Sequence, residues 1–388
     1  MSVVVNSMAT EQRIRDDLGS YADIAAAAVR STGLSDFGGT SHEEGFTILC
    51  EDMATSMDLT PVGNYMYRQM IKSAVTARLI AESALKEHPQ SAAVEITRPI
   101  FVTGLPRTGT TALHRLLTAD PATQGLELWL ADVPMPRPPR ATWADNPIYS
   151  GLNQLYAAHH DTDAELAGIH YMDAASVEEC WRLLQQQGKS LSFTSLADLP
   201  RYAQWLWDSD WTDAYQRHKQ CLQLIGLNDQ DKRWVLKNPS HLAALDAIMA
   251  VYPDALIIQT HRDPVVAVAS ACSLSAHATK GWSSNFVGDT IGRTQLAMLS
   301  EEVHRFDAAR SKYPAEQFYD VDYHDLVADP VGTIEGIHGH FGLDFSNAAA
   351  DAVRADHEAS QAGPRAPKHA YALADYGLNE AQVAAAFA

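Results

Sequence analysis

Apolar residues recur at helical spacing through residues 11–88, as in MYRQMIKSAVTARLIAESALKEHP, and Pro89 stops the pattern. The spacing predicts a helical N-terminal region over residues 1–95. Beyond Pro99 the period changes. Ile100, Phe101, Val102 and Thr103 form a short unbroken run closed by Gly104, and TALHRLLTAD then returns to helical spacing before Pro121. The alternation recurs in RWVLKNP before HLAALDAIMAVYP, in ALIIQTHRDP before VVAVASACSL, and in EQFYDVDY before a helix leading into IHGHFGL. Strands with no polar face, each followed by a helix, imply a parallel sheet covered on both sides. The expected fold class is α/β, a three-layer arrangement over residues 96–388 with a central parallel sheet flanked by helices. The turn-rich PMPRPPR at 134–140 breaks the alternation and opens a second helical stretch, so residues 134–225 read as a helical insertion that walls a substrate site.

Composition narrows what such a fold can bind. With 388 residues, 46% hydrophobic and 20% charged, the chain can bury a large core. The formal charge of −19, from 29 basic and 48 acidic residues, opposes nucleic-acid binding, which needs a basic face. An anionic ligand must therefore be held by a few local cations. Cys50, Cys180, Cys221 and Cys272 lie far apart, without a C-x-x-C pair or zinc spacing, which predicts reduced thiols and no metal. The N-terminus lacks a basic leader, and no 18-residue apolar run occurs. A cytoplasmic protein without a membrane span is expected; no pattern specifies an oligomeric state.

The chemistry begins at GLPRTGTT, residues 104–111, between a predicted strand and a predicted helix. Its two glycines have the spacing of the G-x-x-x-x-G-K-[ST] phosphate loop, but Thr110 stands where the lysine belongs. The sheet is thus P-loop-like. Backbone N–H groups at a helix start, helped by the helix dipole, would face an anion, and the hydroxyls of Thr108, Thr110 and Thr111 would add donors. The loop's cation is Arg107. A kinase or ATPase places lysine at the β/γ-phosphates and Mg²⁺ on the next hydroxyl; with the cation moved, the ligand reads as one phosphate carrying a different group.

A second constellation is THRDPVVAVAS, residues 260–270. His-Arg-Asp resembles a kinase catalytic loop, but Val268 stands where that loop needs asparagine. Asp263 instead fits a helix N-cap, with Pro264 in the first helical position. Arg262 precedes the cap and Ser270 lies ~9 Å along the helix axis, within reach of a guanidinium side chain, so the two can hold one anion.

Together these motifs resemble the sulfotransferases that use 3′-phosphoadenosine-5′-phosphosulfate (PAPS), in particular bacterial and actinobacterial members. In that family a G-x-P-[KR]-x-G-T-T loop grips the 5′-phosphosulfate, and an arginine with a serine eight residues later grips the 3′-phosphate. Here these correspond to Pro106, Arg107, Thr108, Gly109, Thr110 and Thr111, then Arg262 and Ser270. VLKNPSHLAAL, YHDLVADPVGTIEGIHGHFGL and KHAYALADYGL continue the likeness in order, the last within a C-terminal closing segment, 346–388.

The resemblance implies an enzyme that transfers a sulfuryl group from PAPS to a hydroxyl of a small molecule, without metal. A sulfuryl group carries less charge than a γ-phosphoryl group, so a fixed cation and N–H donors can meet the charge on the leaving oxygen. Arg107 is that cation, and as arginine it stabilises without donating its proton. Lys237, at a strand's C-terminal end, is a second stabiliser. Two residues compete for the general base: Glu127, 20 residues after Arg107, and His241, which follows Lys237. Tyr323 resembles a position that contacts adenine, and Lys368 one that closes over the 3′-phosphate. Glu178 and Glu179 read as charges at a helix start. The aromatic stretch RYAQWLWDSDWTDAY suggests an apolar or lipid-like acceptor. The alternatives are a P-loop small-molecule kinase and a catalytically silent protein that binds adenosine 3′,5′-bisphosphate (PAP).

Overall fold

The computed structural model of the chain describes residues 17–162, 173–362 and 372–388. Among the described residues three helices come first: α1 (Tyr21–Thr32), α2 (Glu43–Ser56) and α3 (Pro61–Glu87). Helix α3 starts where the sequence punctuates it, with Thr60 Oγ1 accepting the Gly63 N–H at 3.0 Å and Pro61 in the first turn. The part of the predicted N-terminal region at residues 1–16 lies outside the described residues.

Strand β1 (Ile100–Gly104) then runs into the loop and helix α4 (Thr110–Thr118). A two-residue strand β2 (Thr123–Gln124) and the short helix α5 (Leu128–Asp132) follow. Helices α6 (Pro147–Thr162), α7 (Trp181–Gln185), α8 (Pro200–Asp208) and α9 (Thr212–Ile225) occupy the predicted insertion. The remaining strands are β3 (Arg233–Lys237), β4 (Leu256–His261) and β5 (Phe318–Asp322). Between and after them come α10 (Leu245–Val251), α11 (Pro264–Ala278), α12 (Asp289–Arg310), α13 (Tyr323–Ala328) and α14 (Pro330–Phe341). Helices α15 (Asn347–Ala362) and α16 (Glu380–Ala386) close the chain.

The sheet is parallel throughout, in the order β2-β3-β1-β4-β5. Alternate residues of β1 explain why its sequence shows no polar face. Ile100 and Val102 join a core with Leu113 and Leu117 of α4 and Ile334 of α14, whereas Phe101 faces the larger core on the other side. That larger core also takes Ile24, Phe46, Tyr67 and Leu79 from α1–α3, so the helical N-terminal region packs into the same hydrophobic body as the sheet.

Two elements differ from expectation. Strand β2 was not anticipated, because two residues carry no periodicity. The helix expected directly after β3 begins instead with a 3₁₀ turn, Pro239–Ala244, which runs into α10. Among the described residues no helix is long and apolar enough to cross a membrane.

The strand order fixes where a ligand fits. From β1 the chain leaves toward β2 on one side, and from its neighbour β4 it leaves toward β5 on the other. Connections that diverge from adjacent strands open a crevice at their C-terminal ends.

Candidate active site

The loop after β1 forms one wall of this crevice. At Gly104 φ is 136°, and a Cβ there would come within 2.4 Å of Thr260 Oγ1 and 2.5 Å of its carbonyl oxygen, so only glycine lets the loop cross this close to β4. Arg107 follows at φ 71°, left-handed backbone that costs a side-chain-bearing residue ~1–2 kcal/mol. Two contacts hold that turn. Arg262 Nη1 donates to the Arg107 carbonyl at 2.9 Å, and Thr108 Oγ1 donates to the Leu105 carbonyl at 2.7 Å while lying 2.5 Å from Thr260 Oγ1. Helix α4 then begins behind Gly109, whose position has no side-chain cap, so the first-turn N–H groups stay available to an anion. Thr110 is buried and Thr111 exposed. Thr108, expected to face the ligand, is instead 1% exposed, and its hydroxyl braces the loop from inside.

The opposite wall comes from β4 and β5. Asp263 caps α11 as the sequence predicts, its Oδ1 accepting the Val265 N–H at 2.9 Å. Just before the cap, the Arg262 guanidinium lies 4.0 Å over the Tyr323 ring. Tyr323 opens α13, and a Cβ added to Gly109 would come 3.2 Å from its ring. The loop, Arg262 and Tyr323 are therefore one contiguous unit, with Ser270 buried two turns into α11. Lys368 lies outside the described residues.

On the other flank of the loop sits Lys237, the last residue of β3 and only 2% exposed. A buried ammonium is tolerated when paired. Its Nζ donates to Thr111 Oγ1 at 3.1 Å and is ion-paired with Glu179, whose side chain is 18% exposed. The Cys180 N–H donates to the Lys237 carbonyl at 2.8 Å, which fixes Glu179 beside the strand end. Glu178 is buried and accepts the Glu179 N–H at 2.7 Å. The sequence gives Glu179 a helix-start role; the structure places its carboxylate on the lysine that touches the loop. No motif announces this, because 58 residues separate the pair.

The two residues named as bases have other surroundings. Glu127 precedes α5, and Arg137 Nε and Nη2 each approach its Oε2 at 3.0 Å. Arg137 also donates to Gln124 Oε1 at 2.6 Å, to the Gly125 carbonyl at 2.6 Å and to Asp229 Oδ2 at 3.0 Å. Burial raises the Glu127 pKa and Arg137 pulls it down, with burial the larger influence. His241 lies in the 3₁₀ turn, 1% exposed, hydrogen-bonded through Nδ1 to the Tyr215 hydroxyl at 2.6 Å and packed 5.0 Å from the Phe101 ring. Burial holds its pKa well below the ordinary imidazole range. The structure thus gathers Arg107, Lys237, Arg262 and Tyr323 around the loop, sets Glu127 against Arg137, and places His241 inside the larger core.

A glycine-bounded loop leading into a helix N-terminus at the switch point of a parallel sheet defines a P-loop-like fold. The Sulfotransferase family model matches residues 99–347, and the chain belongs to that family. It resembles the crystal structure of sulfotransferase STF1 from Mycobacterium tuberculosis H37Rv, with 49% identity, TM-score 0.90, and 96% of this chain and 100% of that one covered. Sulfotransferase STF9 from Mycobacterium avium is similar at 28% identity and TM-score 0.87, covering 96% of each chain. Among curated proteins, omega-hydroxy-beta-dihydromenaquinone-9 sulfotransferase Stf3 of Mycobacterium bovis is 25% identical over 267 residues. That match spans 63% of this chain and 63% of the length of Stf3.

Proposed function

We propose that the protein transfers a sulfuryl group from PAPS to the hydroxyl of a small apolar or lipid-like acceptor, in the cytoplasm. The observation that carries this reading is the joined anion site, in which Arg262 both holds the Arg107 carbonyl and lies on Tyr323. A ligand with phosphates at both ends of one nucleoside suits a loop and an arginine coupled in this way. The 5′-phosphosulfate would lie on the α4 N–H groups with Arg107 and Lys237 beside it, the 3′-phosphate on Arg262 and Ser270, and the adenine at Tyr323.

In the reaction the acceptor oxygen attacks sulfur from the side opposite the leaving oxygen. The new S–O bond forms as the bridging S–O bond breaks, and the released electron pair departs on the phosphate of PAP. Lys237, Arg107 and the α4 dipole meet that charge, so the leaving phosphate needs no proton. The acceptor's proton passes to a carboxylate base. An apolar acceptor agrees with the name of Stf3, whose substrate is a menaquinone alcohol.

Thermal shift tests the donor. PAP at a hundredfold excess over its dissociation constant should stabilise the fold by ~2.7 kcal/mol without Mg²⁺. Stabilisation by Mg·ATP alone would favour a kinase, and PAP binding without any ³⁵S transfer from labelled PAPS would favour the silent binding protein.

A further inference from the structure

We propose that Glu179 is the general base that takes the acceptor's proton, an inference that rests on the sulfuryl-transfer reading above. The argument starts from the order of groups across the sheet. Tyr323 follows β5, Arg262 follows β4, the loop follows β1, and Lys237 ends β3, with Glu179 bound to it. A nucleotide on Arg262 and Tyr323 occupies the β4–β5 side. In-line transfer requires the acceptor on the other side of the sulfuryl group, toward β3, and Glu179 lies on that flank.

The segment bearing Glu179 is also fixed to α5. Leu128 N–H donates to the Ser176 carbonyl at 3.0 Å and Trp129 N–H to the Ala174 carbonyl at 3.2 Å, which joins residues 174–180 to α5.

The partners distinguish the three candidates. Glu127 faces a guanidinium that also holds two further side chains and a carbonyl, a lock that the reaction gives no reason to open. His241 has no surface to offer a substrate. Glu179 is held by an ammonium that also touches the loop through Thr111. A sulfuryl oxygen arriving there competes for the same ammonium and releases the carboxylate. The step balances: the O–H proton of the acceptor moves to Glu179 as its oxygen bonds sulfur, and the S–O electron pair leaves with PAP.

The test uses full-length wild type, Glu179→Gln and Glu127→Gln, labelled PAPS, and two acceptors. 1-Decanol needs a base, whereas 4-nitrophenol at pH 8.5 is already ionised. Glu179→Gln should bind PAP like wild type, lose ~10²–10⁴-fold in the single-turnover rate with decanol, and lose less than ~10-fold with 4-nitrophenolate. Equal losses with both acceptors would show that Glu179 only positions Lys237, and would overturn the proposal. So would a Glu179→Gln rate within threefold of wild type, or a decanol-specific loss in Glu127→Gln instead. Wild type that turns over PAPS with neither acceptor, yet binds PAP, overturns the acceptor class on which the inference rests; wild type that does not bind PAP overturns the donor reading itself.

Discussion

Arg262 shows how one side chain can join two parts of a candidate site. Its guanidinium donates to the carbonyl of Arg107, a residue held at φ 71°, and lies 4.0 Å over the Tyr323 ring. The turn that aims the loop amides thus depends on the residue that resembles a 3′-phosphate ligand. Arg262→Ala should then weaken two ligands by different amounts. Adenosine 5′-phosphosulfate, which has no 3′-phosphate, loses the share due to loop distortion. PAP loses that share together with a charge-assisted contact worth ~2–3 kcal/mol. Isothermal titration of both ligands against wild type and variant separates the two. An unchanged adenosine 5′-phosphosulfate affinity would mean that the Arg107 carbonyl contact does not shape the loop, and equal losses would remove Arg262 from the 3′-phosphate.

At the scale of elements, the junction of β1, its loop and β4 has little room for change. Gly104 combines φ 136° with the 2.4 Å approach that a Cβ would make to Thr260 Oγ1 and the 2.5 Å approach to its carbonyl. The backbone carbonyl cannot turn away, because β1 and β4 are paired from Ile100↔Leu256 to Gly104↔Thr260. Gly104→Ala should therefore pry the strands apart at their functional end, costing at least ~3 kcal/mol in urea unfolding and lowering PAP affinity as well. A variant as stable as wild type would show that the junction can relax. The same features explain what the sequence makes legible. β1, β3 and β4 read clearly because both faces are buried, and the loop, the Asp263 cap and Lys237 are short local patterns. β2 is too short to register, and a break before Pro330 divides the helical run after β5 into α13 and α14. Glu179 was unreadable as a site residue because its meaning comes from Lys237, on a different element, and a lone glutamate before a helix has a commoner explanation.

For the molecule as a whole, groups buried in the larger core set the pH range of stability from both sides. His42, His114 and His218 are held down at about 3 by burial, and His241 also lies well below the ordinary value. The folded state keeps these rings neutral, while the unfolded chain protonates them below about 6.5, so their effect on stability is lost as pH falls through that value. Glu302 on α12 acts in the opposite direction. It is 1% exposed, its Oε2 has no hydrogen-bond partner, and burial raises its pKa to about 8. The unfolded chain releases this proton near 4.5 and the folded chain only near 8, so Glu302 makes stability fall as pH rises between those values. Below about 6.5 the four histidines outweigh one glutamate, and their influence fades over the next pH unit while that of Glu302 persists. With these groups balanced, stability should peak at about pH 7. Glu302→Gln keeps the shape of the protonated acid and removes its titration, so its melting temperature should match wild type near pH 5 and exceed it increasingly up to pH 8. The acid-side fall, which belongs to the histidines, should remain. Melting curves measured from pH 5 to 8.5 for both proteins check this, and parallel curves across the whole range would show that Glu302 does not titrate between the folded and unfolded states as its burial requires.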